Sequence, residues 1–137
     1  MNFKGLYERK IDEKGRIILP SKFEIDQDKG LYLLKKEDNL FRYILQGDQF
    51  DEQIKFTHPL NTNFSLEDTL KMINNKGVIS HLKFKPVNSS LRINLGMGNY
   101  KLVNQKERSI TLYGANNFIL VYLGNLKSYN QELQKVY

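Results

Sequence analysis

The chain contains no cysteine. That excludes a disulfide framework, an iron–sulfur cluster, a thiolate zinc site and a cysteine nucleophile. No run of residues approaches the ~18 consecutive apolar positions a transmembrane helix needs. The opening stretch MNFKGLYERK lacks the apolar segment of a secretory leader, so the expected setting is the cytoplasm, with no membrane partner. Histidine is scarce: His58 and His81 lie 23 positions apart without carboxylate or thiolate companions, and no metal site follows from them. No glycine-rich loop joins a strand to a helix, and GMG at 96–98 is too short to count. NSS at 88–90 fits a glycosylation acceptor, which has no meaning without secretion. With no nucleophile–base pair and no paired carboxylates, the chain reads as a non-enzyme without cofactor or small-molecule substrate.

What is present supports a packed domain. The 137 residues are 40% hydrophobic, with eight Tyr and eight Phe placed mainly in strand-like patterns. Packing accounts for those rings better than base stacking does. The net charge of +6 is distributed unevenly. Residues 1–22 carry six cations and three acids, residues 82–108 six cations and one acid, and residues 37–68 seven acids and two cations. One basic face and one acidic face are expected, the first suited to a polyanion.

The two basic segments also share a pattern. An offset of 76 residues places Arg16 on Arg92, Ile11 on Val87, Asp12 on Asn88, Ile17 on Ile93 and Leu19 on Leu95. LYLLKKEDNLFRYIL (31–45) and SITLYGANNFILVYL (109–123) match at an offset of 78, with Asn39 and Asn117 at equivalent turns. The spacing predicts two tandem halves, 1–77 and 78–137, folded as one intertwined domain. In the first half, strands are expected at 3–11 and 16–19, joined by a turn at Gly15 and stopped at Pro20. A brief helix after Ser21, a hairpin at 31–45, and helices at 48–56 and 63–77 follow, the last capped by Ser65 and Asp68 and ended by Gly77. In the second half, strand 78–86, turn 87–91, strand 92–95 and hairpin 109–123 precede a final helix burying Leu126, Tyr129 and Leu133. Neither half has enough apolar strand to close a core alone, which points to a small intertwined β-barrel, mainly β with flanking helices (α+β).

The repeated unit is Asp-x-x-x-Arg at a tight turn. Asp12 can accept turn N–H groups or fix the Arg16 guanidinium in a chosen direction. Lys14 supplies point charge, Gly15 lets backbone approach a phosphate, and Arg16 can reach a phosphate or a guanine edge. The same residues also make an ordinary turn closed by a structural Asp–Arg pair. Only five arginines stand against sixteen lysines, yet two of the five end the two copies of the unit.

GLYERKIDEKGRIILPSKF (5–23) resembles the N-terminal signature of the MraZ proteins, bacterial transcriptional regulators within the wider AbrB/MazE swapped-hairpin group. The resemblance extends through both halves, the LFRYIL hairpin and the segment 65–77. It implies a double-split β-barrel of two tandem AbrB-like halves. It also implies a homo-oligomeric ring, an octamer or larger, on short direct repeats of double-stranded promoter DNA upstream of a division and cell-wall gene cluster. Location at the nucleoid would follow. Asp12, Lys14, Gly15 and Arg16 match the first family motif, and Arg92 matches the second. There Asn88 stands in place of Asp, Ser89, Ser90 and Leu91 replace the Lys-Gly tip, and Gly96 replaces a proline. The first motif is therefore the main expected DNA contact, through Lys14, Gly15 and Arg16, with Arg9 and Lys10 as flanking phosphate contacts. Arg92, without its usual carboxylate anchor, is either freer to contact DNA or purely structural, and Asp12 and Asn88 are the structural members of the two motifs. The acidic 37–68 segment is expected to face away from DNA. The alternative in another class is an AbrB/MazE-type antitoxin-like interaction protein, which the folded second half and the absence of an acidic C-terminal tail disfavour.

Overall fold

Alternation of apolar and polar side chains sets the strands, and each half leaves its strands short of partners. The computed structural model describes residues 3–35, 39–46, 56–57, 63–64, 79–116 and 118–136. In chain order the elements are β1 (Phe3–Lys10), β2 (Arg16–Ile18), a 3₁₀ turn (Gln27–Lys29), β3 (Leu31–Leu34), β4 (Phe41–Gln46), β5 (Phe56–Thr57) and β6 (Asn63–Phe64). They continue with β7 (Ile79–Val87), β8 (Ser90–Asn94), α1 (Met97–Tyr100), β9 (Ser109–Asn116), β10 (Ile119–Tyr122) and α2 (Leu126–Val136).

Eight of these strands form one antiparallel sheet in the order β1-β9-β10-β4-β3-β7-β8-β2. The sheet curls into a nearly closed barrel: the Asp12 N–H donates to the Arg16 carbonyl at 3.1 Å, bringing the chain beyond β1 against the start of β2. The fold is therefore mainly β with flanking helices, as the pattern requires. Strands of the first half pair with strands of the second at β1–β9, β10–β4, β3–β7 and β2–β8. Ile17 lies directly opposite Ile93, the residue that the 76-residue offset places upon it. The two halves thus meet about a pseudo-dyad running through the β2–β8 and β4–β10 pairs. The boundary at 77/78 lies outside the described residues.

Two cores result. Inside the barrel, Phe3, Ile17, Leu31, Ile93, Ile110 and Val121 belong to one buried cluster. On the outer side of β4 and β10, Leu120 and Tyr122 join Phe41, Tyr43 and Tyr129 in a second. Alternation along β10 explains this: Ile119 and Val121 point inward, and Leu120 and Tyr122 point outward beneath α2. The Asn125 side chain accepts the Ser128 N–H at 2.8 Å and caps α2. Leu126, Tyr129 and Leu133 pack that helix on the barrel, the spacing expected from the sequence.

Three local expectations change. The helix after Ser21 does not form; Phe23 N–H closes a turn on Pro20 at 3.0 Å. The buried Phe23 ring then packs edge-on against Phe3 and Tyr7 at 5.7 and 5.4 Å. Helical structure comes instead at 27–29, where Asp26 accepts the Asp28 N–H and the Gln46 amide clasps the Asp26 backbone. Phe56, expected at a helix end, belongs to β5, and Asn63 and Phe64, expected at the start of the 63–77 helix, form β6, which pairs with it. The rest of the helices at 48–56 and 63–77, and the turn residue Asn117, lie outside the described residues.

Candidate nucleic-acid interface

The outer face of β2, β8 and β7 is built by strand alternation. Ile17, Leu91, Ile93 and Leu82 turn inward and are buried. That sends Arg16 and Ile18 of β2, Arg92 and Asn94 of β8, and Lys83 and Lys85 of β7 outward. The register aligns them in two rows: Lys85 is paired with Arg92 and Arg92 with Ile18, while Lys83 is paired with Asn94 and Asn94 with Arg16. Two shallow depressions share Arg16 and Arg92. One, of about 130 Å³, is also lined by Lys83, Lys85 and Asn94; the other, of about 270 Å³, adds Lys10, Asp12, Ile18 and Arg108. Asp12 is the one carboxylate that lines either of them.

That carboxylate is fully engaged. Asp12 Oδ2 accepts Arg16 Nε at 2.7 Å, and Oδ1 accepts the backbone N–H groups of Lys14 and Arg16 at 3.0 and 2.9 Å. Desolvation pushes the Asp12 carboxyl up, but these hydrogen bonds and the Arg16 charge outweigh it and hold the pKa below the ordinary carboxylate value. Arg16 is consequently aimed: its Nε is tied back to the turn, and its terminal nitrogens make no hydrogen bond among the described residues. Arg92 has no hydrogen bond or ion pair among the described residues. Its cross-strand neighbour is another cation, Lys85. Like charges directly opposite in a sheet are destabilising, a cost that a bound polyanion would reverse.

The residues expected from the sequence divide on inspection. Lys10, Arg16 and Arg92 come together at the larger depression, although the Lys10 ammonium already donates to the Glu107 carbonyl and Ser109 Oγ at 2.7 and 2.9 Å. Lys14 is exposed at the turn. Arg9 follows the opposite strand parity from Lys10 and lies over the Tyr7 ring, 5.4 Å from its centroid; it is not brought to this face.

Gly15 is corrected. It takes φ +88° as the turn requires, but it is buried, and its N–H donates to the Asp12 carbonyl at 2.9 Å rather than standing free for a phosphate. Its carbonyl accepts the Leu95 N–H, and a Cβ here would come 2.4 Å from the Gly96 oxygen. Glycine is needed for the close approach of two turns.

Asn88 is also corrected as the counterpart of Asp12. Val87 pairs with Ser90, so Asn88, with φ +55°, sits in a two-residue turn at the hairpin apex. The β7–β8 hairpin continues past Arg92 by two further pairs, which leaves Lys85 in the place facing the arginine. Asn88 lines a separate groove with Leu19, Phe23 and Leu91.

Lys83, Lys85 and Arg108 were missed. The signal for the first two was KFK at 83–85, an alternation that sends both lysines to one side of a strand. Arg108 carries no comparable pattern; its exposure follows from a loop backbone held at φ +52°, whose carbonyl accepts the Ile11 N–H. Among the described residues no cluster of His, Cys, Asp and Glu could hold a metal ion, and no helix is long and apolar enough to cross a membrane. Comparison with protein-family models, curated proteins and solved structures found no match.

Proposed function

We propose that the chain is a sequence-specific DNA-binding transcriptional regulator of the MraZ type, acting at the nucleoid as a homo-oligomeric ring on direct repeats of promoter DNA. The observation that carries this reading is the aimed Arg16 beside a Lys85–Arg92 pair that has no carboxylate partner among the described residues, on one outer sheet face. A duplex presents closely spaced phosphates to such a face, and neutralising them releases counterions. In the major groove an arginine fork matches a guanine edge. The resemblance of residues 5–23 to the MraZ signature supports the same reading.

One module with this few cations binds weakly and loses affinity with salt. A ring displaying several copies raises the effective concentration at each neighbouring site. Subunits related by rotation present the same face in the same sense, which suits direct repeats.

Fluorescence anisotropy with the duplex upstream of the chain's own gene tests the reading. Affinity should fall steeply as salt rises while preference over a scrambled duplex persists. Arg16→Ala should cost about 1–3 kcal/mol of binding to the promoter duplex. Unchanged affinity in that variant would contradict the proposal. Sedimentation velocity on the same sample should give a multiple of the 16.1 kDa chain mass; a lone subunit would contradict the ring.

A further inference from the structure

The pseudo-dyad makes Arg16 and Arg92 counterparts, so an evenly built interface would hold both in the same way. They are not held in the same way. Arg16 has a carboxylate at its Nε, itself pinned by two backbone N–H groups. Arg92 has a lysine in the facing position and no partner among the described residues. We infer that the face is divided in role: Arg16, aimed by Asp12, discriminates bases, whereas Lys83, Lys85 and Arg92 form a phosphate clamp indifferent to sequence. This rests on the proposed duplex binding and assigns its two halves.

The chemistry follows from geometry. Reading a base edge requires a planar fork held in one orientation, because discrimination depends on two parallel hydrogen bonds. Asp12 supplies that restraint to Arg16, and the restraint is set before DNA arrives. A lysine ammonium is a compact charge on a flexible stem, and it binds phosphate as a point charge in many directions. Lys83 and Lys85 are exposed and make no side-chain hydrogen bond among the described residues. A module with a reading half and a gripping half has a direction along the duplex.

The test uses the full chain, with anisotropy on the own-promoter duplex and on a scrambled duplex of equal composition, each over a range of salt. In the Lys83→Ala/Lys85→Ala double variant, affinity for both duplexes should fall by a similar factor. Their ratio should stay within about twofold and the salt slope should shrink by about two phosphate contacts. In Arg16→Lys, which keeps the charge and loses the fork, the promoter-to-scrambled ratio should collapse while the salt slope holds. Matching thermal melts establish that each variant is folded. Collapse of the ratio in the double variant, or no change in either affinity or slope, overturns the division of roles. Wild-type protein that binds neither duplex overturns the DNA reading itself and this inference with it. Wild-type preference combined with an unaffected double variant overturns this inference alone.

Discussion

At the residue scale, Gly15 and Asp12 form one device. Gly15 lets the turn backbone press against Gly96, and that contact fixes where Asp12 and Arg16 stand. An alanine here meets two penalties. A left-handed backbone costs an L-residue about 1–2 kcal/mol, and the new Cβ would sit 2.4–2.7 Å from Gly96 backbone atoms that are not free to swing aside. Gly15→Ala should therefore destabilise by more than about 2 kcal/mol in denaturant titration. Gly98→Ala is the control: apart from its chain neighbours and its own helical backbone, nothing lies within 4 Å of where its Cβ would stand, and in α1 alanine should be neutral or better by up to about 1 kcal/mol. Equal losses in the two variants would contradict the packing role given to Gly15.

At the element scale, burial on both faces of β4 marks where the barrel is most sensitive to truncation. The same holds for β10, whose outward Leu120 is fully buried beneath α2. Leu120→Ala should cost roughly 2–5 kcal/mol in denaturant titration, while duplex affinity per folded molecule stays unchanged. Loss of affinity without loss of stability would place the DNA surface on the wrong side of the barrel. The strands, the paired hairpins and α2 were legible because each carries a periodic apolar pattern, as Leu126, Tyr129 and Leu133 show. Register was not legible. Superposing Asp12 on Asn88 assumes turns of equal shape, but the first turn places three residues between Asp12 and Arg16 and the second only Asn88 and Ser89. That difference puts Lys85 opposite Arg92, and no residue type in either segment announces it. Nor could the one-turn α1 be read, since Gly96 at φ +88° starts it without a side-chain cap.

At the scale of the whole molecule, the pseudo-dyad places two unlike surfaces on the barrel. The β4–β10 pair carries aromatic and aliphatic side chains under α2, and the β2–β8 pair with β7 carries the cations. The charge asymmetry of the chain foreshadowed the basic face, since both cationic segments contribute to it. Most of the acidic 37–68 stretch lies outside the described residues. The central claim is that DNA lies on the β2–β7–β8 face. Lysine-acylation footprinting with and without the own-promoter duplex tests it most directly. Lys83 and Lys85 should be protected by the duplex, and the exposed Lys127 of α2 should react equally in both samples. Protection of Lys127 with Lys83 and Lys85 left reactive would contradict the account.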